Sequence, residues 1–477
     1  MNLPLIGRKK EQQVLNEALQ SDQAELVSLI GRRRVGKTFL VQSVYEERIA
    51  FEMTGIQHAP RQEQLQNFAI QLSKYTASPV PLSAPDNWLN AFFLLSEYLE
   101  NRPSDQKPVV FLDELPWMAT HRSGFLRGFG WFWNSWAVKK NIVVVICGSA
   151  ASWMIQRVVR DKGGLHNRIT RRINLEALNL AETEQFLKVK SPNIDRYQIL
   201  QIYMAMGGIP HYLKEVRAGR SAVQNIDNIC FSSSGLLHDE FSLLYPALFD
   251  NPEEHLKVVR TLAANRQGLT RKGIVQKTKL SNGGGTTRVL EELVHSGFVT
   301  PYYSFGKKKR EMRYRLTDEY SLFYLKFIEK NRTEGEGTWK KLSQTQSWKS
   351  WSGYAFESIG LKHIRQLKRA LEIGGVYSEA SVLNHPGTDE FPGFQIDLLI
   401  DRNDHVINLF EMKFYNQNFI LTKAYAEELR LKIAAFKAAT KTRKQVFLNV
   451  LTTFPLVQNA HTTGLVDQAF TMDVLFE

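Results

Sequence analysis

The sequence predicts an α/β chain of several domains, with a parallel-sheet core first and a second, mixed α/β unit at its C-terminal end. Three observations carry that prediction. The 477 residues are about three times a typical single domain. Strand and helix signals alternate up to about residue 180, the pattern of a parallel sheet with crossover helices. A glycine-rich loop also sits at the first strand-to-helix junction.

Each element follows from local pattern. AELVSLI (24–30) is a short apolar strand ending in glycine, TFLVQSVYEE continues as a helix, and IAFEMTG (49–55) returns as a strand. KPVVFLDEL (107–115) and NIVVVICGS (141–149) are two further apolar strands, each followed by polar groups at its carboxyl end, as in a buried parallel sheet. Residues 181–251 read as helices broken at GGIP (207–210). From Pro252 to about residue 330, three helical segments and a hairpin with a basic tip, TPYYSFGKKKREMRYRLTD, make the pattern of a winged helix. Residues 331–348 are polar and glycine-bearing, the composition of a linker, and 349–477 mix helix and strand. The expected boundaries are therefore 1–180, 181–251, 252–330, 331–348 and 349–477.

Composition narrows the function classes. Hydrophobic residues at 43% and charged residues at 23% are ordinary globular values that exclude wholesale disorder. The longest apolar runs are less than half of the roughly 20 residues a bilayer span needs, so no membrane partner is expected. The start, MNLPLIGRKKEQQ, lacks an apolar signal region, and Cys147 and Cys230 are the only cysteines. A reducing cytoplasmic setting is expected. The balance of 61 Lys and Arg against 48 Asp and Glu gives +13, which favours a polyanionic partner. Most of it is local: His255 to Arg315 holds 14 Lys and Arg against three Glu.

Gly31-Arg32-Arg33-Arg34-Val35-Gly36-Lys37-Thr38 fits G-x-x-x-x-G-K-[ST] between a strand and a helix. Such a loop wraps phosphate oxygens with backbone N–H groups, so ATP with Mg2+ is the expected ligand. Lys37 would reach the β and γ phosphates and Thr38 would ligate magnesium. Val109 to Leu112 deliver Asp113, a second magnesium ligand, and Glu114, which would polarise the attacking water. Ser149, at another strand end, could sense the γ-phosphate. In GLHNRITRRINL, Arg168, Arg171 or Arg172 could act as an arginine finger, with Arg168 preferred. A finger supplied by a neighbour implies a homo-oligomer.

The ordered blocks IGRRRVGKT, VVFLDELPWM, VVVICGSA, NRITRRI and GGIPHYL resemble the archaeal-type ATPases, a prokaryotic group within the AAA+/STAND superfamily, over residues 1 to about 250. The resemblance implies a P-loop ATPase core with a helical lid, in which Gly208 and Pro210 of the Gly-x-Pro block approach the nucleotide base.

In the winged-helix segment, Lys272, Lys277 and Lys279 line the approach to a recognition helix from Thr286. Arg288 lies within reach of base edges, and Lys307, Lys308, Lys309 and Arg310 crown the wing. The charge favours DNA. Related ATPases use such modules instead to regulate the nucleotide domain or to contact another protein.

In the last unit, Glu411 and Lys413 project on one strand face, and an adjacent antiparallel strand could bring Asp397 to the same point. Two carboxylates and a lysine can hold magnesium or manganese and act on a phosphodiester. The arrangement resembles the PD-(D/E)xK restriction-endonuclease-like fold, with Glu357 completing the site. That resemblance implies an ATPase coupled to a metal-dependent nuclease-like domain. Asp389 and Glu390 could compete for the metal or form a lid. A catalytically silent scaffold, or a toxin or defence effector acting on RNA, are the rival readings.

Overall fold

The computed structural model describes residues 4–76, 82–102, 106–149, 151–155, 158, 167–249, 251–306, 311–332, 335–389 and 391–477. Two compact units emerge. One comprises Met1–Ala177, Leu248–Asp250 and Glu291–Gly297, the other Leu178–Ala247, Asn251–Leu290 and Phe298–Glu477.

The first unit is built on α1 (Lys9–Gln20), β1 (Glu25–Ile30), α2 (Lys37–Tyr45), β2 (Ile49–Thr54), α3 (Arg61–Tyr75), α4 (Trp88–Glu100), β3 (Val109–Asp113), β4 (Val143–Gly148) and β5 (Arg171–Asn174). The five strands are all parallel, in the order β2-β3-β4-β1-β5. Every residue of β1, β3 and β4 is buried, which explains their unbroken apolar runs. Alternate residues Leu26 and Ile30, Val110 and Leu112, and Val144 and Ile146 face one core, closed by Phe68, Trp88, Phe92, Phe125 and Phe129. Each such side chain contributes roughly 1.5–3 kcal/mol on full burial. Because β4 lies between β1 and β3, the carboxyl end of β4 emerges between the ends of the other two.

The segment that carries the finger candidates ends in an edge strand, β5. Arg171–Asn174 pairs with β1 as an edge strand, burying only Ile173, while Arg171 binds Glu17 and Glu25 at 2.9 and 3.3 Å. One buried residue in four leaves too weak an alternation to be seen in sequence.

The second unit opens with α5 (Leu180–Lys188), whose first turn is closed by a capping box between Asn179 and Glu182, and α6 (Arg196–Met206). Then follow α7 (Pro252–Ala263), β6 (Leu269–Thr270), α8 (Arg271–Thr278), α9 (Gly284–His295, its residues from Glu291 grouped with the first unit), β7 (Val299–Tyr302) and β8 (Arg313–Leu316). The three strands form an antiparallel sheet in the order β6-β8-β7. Lys307, Lys308, Lys309 and Arg310, expected at the hairpin tip, lie outside the described residues, as does Glu390.

Residues 331–348 are not the free linker their composition suggests. A short helix, Thr338–Leu342, buries Trp339 against Phe231 and Phe327, with ring centroids 5.8 and 5.2 Å apart. The N–H groups of Gly337 and Trp339 both donate to the Asp227 carboxylate at 2.7 Å. One aromatic anchor outweighs a polar composition.

The chain ends in α10 (Gln346–Lys362), β9 (Ser378–Gly387), β10 (Pro392–Arg402), β11 (Val406–Lys413), α11 (Lys423–Thr440), β12 (Gln445–Thr452) and β13 (Gln468–Thr471). The sheet order is β13-β12-β11-β10-β9, antiparallel from β9 to β11 and parallel from β11 to β13. At its β9 edge, Ser304 pairs with Val382, and the Phe305 N–H donates to Val382 O at 3.1 Å. No helix among the described residues is long and apolar enough to cross a membrane.

Candidate functional site

In the first unit the glycine-rich loop joins β1 to α2. Gly31 is required by close approach, because a Cβ there would lie 2.5 Å from Leu175 O. Gly36 is required by conformation, with φ at +93°. Among the described residues no side chain caps α2, so its first-turn N–H groups are left for an anion at the positive end of the helix. Lys37, 6% exposed, turns its Nζ onto the carbonyl oxygens of Gly31 and Arg32 at 2.9 and 3.0 Å. Arg33 and Arg34 lie in the same loop, with φ of Arg34 at +73°.

The carboxylates meet this loop through neutral partners. Thr38 Oγ1 donates to Asp113 Oδ2 at 2.6 Å, and Asp113 Oδ1 accepts the Glu114 N–H at 2.9 Å. Glu114 adopts a left-handed backbone, φ +48°, at the sharp turn leaving β3. Its Oε2 accepts from both the N–H and the hydroxyl of Ser149, at 3.0 and 2.8 Å. Lys37, Thr38, Asp113, Glu114 and Ser149 thus gather at the carboxyl ends of β1, β3 and β4, where ligands of open α/β sheets bind. Residues 5–216 match the family model for an ATPase domain predominantly from Archaea.

These residues form an ATPase domain of that family. Over 414 residues the chain is 23% identical to an uncharacterised protein of Methanocaldococcus jannaschii, covering 86% of this chain and 87% of that protein. Among solved structures it is similar to the Walker-type ATPase of Pyrococcus abyssi, at 17% identity and TM-score 0.48, over 68% of this chain and 99% of that one. It is also similar to the ORC2 protein of Aeropyrum pernix in its ADPNP-ADP complexes, at 15% identity and TM-score 0.40, over 69% and 95%.

Within the ATPase domain, Arg8 was not singled out by sequence reasoning. It is 5% exposed, has φ +56° at the start of α1, and donates to the loop carbonyl of Val35 at 3.3 Å. Its only signal was the dipeptide Gly7-Arg8 before a helix. Of the finger candidates, Arg168 is exposed in the turn before β5, Arg172 is exposed on that strand, and Arg171 is held by its two glutamates.

In the second unit, Gly208 packs backbone against backbone. Its carbonyl accepts the Leu178 N–H at 2.7 Å, and a Cβ would sit 1.8 Å from Leu178 O. Pro210 is the first residue of a four-residue helix, where its missing N–H costs nothing. Arg271 fastens the turn before α9 through Asn282, Gly283 and Thr287, and Arg288 is exposed on the first turns of that helix beside exposed Lys272, Lys277 and Lys279.

The structure brings Asp397, Glu411 and Lys413 together on β10 and β11. Leu398 pairs with Phe410, so the antiparallel register continues to Asp397 opposite Glu411. Asp397 Oδ2 accepts the Met412 N–H at 3.1 Å. Glu411 Oε1 binds Lys413 Nζ at 2.8 Å and the Tyr425 hydroxyl, while its Oε2 binds Lys432 Nζ at 2.7 Å. Tyr425 and Lys432 lie seven apart on α11, one face of a helix, which is how a distant segment reaches the strand.

Burial and Asp397 push the Glu357 carboxyl up to about 8. Burial and Glu411 raise Asp397 to about 6. Burial works against ionisation of Glu411 too, but Lys413 and Lys432 outweigh it and hold this carboxyl below its ordinary value. The three carboxylates therefore feel one another across a largely buried cluster. Among the described residues no three His, Cys, Asp or Glu side chains are grouped to hold a metal as they stand. Asp389 is exposed.

Proposed function

We propose that the ATPase domain hydrolyses ATP with Lys37 on the β and γ phosphates and Glu114 orienting the attacking water, and that nucleotide state governs an action of the second unit on DNA. The observation that carries the first half is the shared position of Thr38, Asp113, Glu114 and Ser149 at three strand ends. Thr38 and Asp113, already 2.6 Å apart, would hold Mg2+, whose charge offsets that developing on the phosphates. Ser149 fixes the Glu114 carboxylate, so in this reading it is a positioning residue for the water-activating group. Arg168 is the preferred finger. Glu114→Gln should keep ATP binding and lose turnover by a hundredfold or more. Equal turnover by wild type and Glu114→Gln removes the assignment. Partial rescue on mixing Arg168→Ala with Lys37→Ala chains would indicate a finger supplied between subunits.

For the second unit, the concentration of positive charge between His255 and Arg315 supports nucleic-acid binding by the three helices and hairpin, read as a winged helix. The meeting of Asp397 with Glu411 and Lys413 supports a nuclease-like site. Asp397, Glu411 and Glu357 are the hard oxygen donors that Mg2+ or Mn2+ takes, and a bound ion would supply the positive charge that stabilises a phosphodiester under attack. Lys413 would orient water or stabilise developing charge. Asp397→Ala and Glu411→Ala should each abolish divalent-dependent cleavage and leave ATP hydrolysis intact. No cleavage of DNA or RNA by the wild type in either metal would favour the scaffold reading, and cleavage of RNA alone the effector reading.

A further inference from the structure

Outside the carboxylate cluster, one group of side chains has no role in the reading above. Arg315 leaves β8 and reaches α10, where its Nε donates to the Tyr354 hydroxyl at 3.1 Å and its Nη2 to Ser358 Oγ at 2.9 Å. Ser358 spends its own proton on Tyr354 O at 3.0 Å, so its oxygen is committed to accepting from Arg315. Tyr354 and Ser358 flank Glu357 on the same helix. The Arg315 guanidinium also lies over the Tyr354 ring, 4.6 Å from its centroid, and that of Arg266 lies over the same ring at 5.0 Å.

Two guanidiniums on one ring repel each other, and a cation–π contact returns only about 0.5–2 kcal/mol to each. Among the described residues neither Arg266 nor Arg315 forms an ion pair, whereas Arg171, Arg196, Arg260, Arg332 and Arg402 all do. Such a pair is an electrostatic arrangement awaiting an anion, and a fork of N–H donors suits a phosphate. It is firmly placed: Ser304 pairs with Val382, the Phe305 ring packs 5.8 Å from that of Phe436, and Arg313 fastens the Arg266 loop through Gly268 O at 3.0 Å. The positive charge of Arg315 also reaches Glu357, opposing burial and Asp397 in setting its ionisation.

We propose that Arg266 and Arg315 grip a backbone phosphate of duplex DNA beside the carboxylate cluster, making Arg315 a positioning residue that the helix-and-hairpin segment contributes to the C-terminal site. This rests on the reading of the second unit as acting on nucleic acid. It also gives the segment a use that does not depend on its hairpin tip: the flank of the hairpin, joined to the β9 edge, carries the phosphate contact.

The test is duplex affinity of the full chain over a series of KCl concentrations, in calcium so that cleavage does not intervene. Arg266→Ala and Arg315→Ala should each reduce the log-log salt slope, and the double variant should reduce it by about 0.9, the change expected when one fewer phosphate is neutralised. Arg315→Lys should keep the slope, since the charge remains. A purely structural tie predicts otherwise, so Tyr354→Phe with Ser358→Ala, which removes the partners of Arg315 but not its charge, should leave the slope at the wild-type value. Unchanged slopes in both Ala variants, with a wild type that binds DNA, overturn this inference alone. A reduction in Tyr354→Phe/Ser358→Ala equal to that in Arg315→Ala also overturns it. A wild type that binds neither DNA nor RNA at low salt overturns the nucleic-acid reading with it.

Discussion

The two acidic sites of this chain use similar residue types in opposite electrostatic settings. At the ATPase site, Asp113 and Glu114 are held by hydroxyls and backbone N–H groups, and Lys37 by carbonyl oxygens. Neutral partners orient these groups without cancelling their charge. At the C-terminal site, Glu411 is bound by two lysines and a tyrosine, and Asp397 and Glu357 press on each other. There the charge of Glu411 is compensated inside the protein, in a largely buried setting where an unpaired ion is costly. Removing the charge of Glu411, the one that lysines compensate, should therefore damage folding as well as function, whereas removing a charge at the first site should damage function alone.

The largest effect expected from this contrast is at Lys37. Lys37→Ala leaves the phosphates without their cation, and ATP turnover should fall by roughly a thousandfold, scaled on the loss of a phosphate-clamping charge. The thermal midpoint of the protein should scarcely move, because the partners left behind are carbonyls that other donors can satisfy. A large drop in stability with modest loss of turnover would reverse the comparison at this site.

Next comes Glu411→Gln, which keeps shape and strips the charge that faces Lys413 and Lys432. Breaking a buried pair by removing one partner costs about 3–5 kcal/mol, and denaturant unfolding of the second unit should show it. Asp113→Asn, whose partners are Thr38 and a backbone N–H, should cost under about 1.5 kcal/mol, the scale of a single neutral hydrogen bond. Equal losses in the two variants would refute the contrast.

This difference also governs what was legible in advance. The candidate ATPase site is written in two contiguous runs, residues 31–38 and 113–114, because its side chains lie on one strand-to-helix loop and at one strand end. Parallel strands with both faces buried advertise themselves as apolar runs, so β1, β3 and β4 were readable. The C-terminal sheet was readable through Asp397 and the Glu411-x-Lys413 spacing. Tyr425, Lys432 and Arg315 were not, since they reach their partners from 14, 21 and about 40 residues away. Edge strand β5 buries one side chain, and Trp339 alone anchors a polar stretch. Such elements take their form from tertiary contact, which no local pattern encodes.

A smaller effect separates the units by pH. His363, 2% exposed in the second unit, accepts the Leu180 N–H on Nε2 at 3.1 Å and bonds Ile359 O through Nδ1 at 2.8 Å, which requires the neutral Nδ1–H tautomer. Burial lowers its pKa to about 4, with nearby Lys362 adding to the effect. Its folded value lies below the unfolded value of about 6.5, so the contribution is complete above pH 6.5 and is lost as pH falls toward 4. About 3 kcal/mol is at stake over that window. Urea midpoints of the second unit should decline there in the wild type and stay flatter in His363→Gln.

The smallest expected effect tests how Ser149 works. Its N–H and its hydroxyl converge on one oxygen of Glu114, so Ser149→Ala removes one of two restraints and leaves the backbone bond at 3.0 Å in place. A carboxylate held less firmly spends less time aligned with water, and kcat should fall about tenfold, or about 1.4 kcal/mol, with KM for ATP little changed. A serine that sensed the γ-phosphate directly would act differently. Its loss would weaken ATP binding relative to ADP, because the contact would exist with only one of the two nucleotides. Measuring both affinities alongside kcat therefore separates the roles: an unchanged ATP-to-ADP ratio with slower turnover places Ser149 behind Glu114, whereas a collapsed ratio places it on the phosphate.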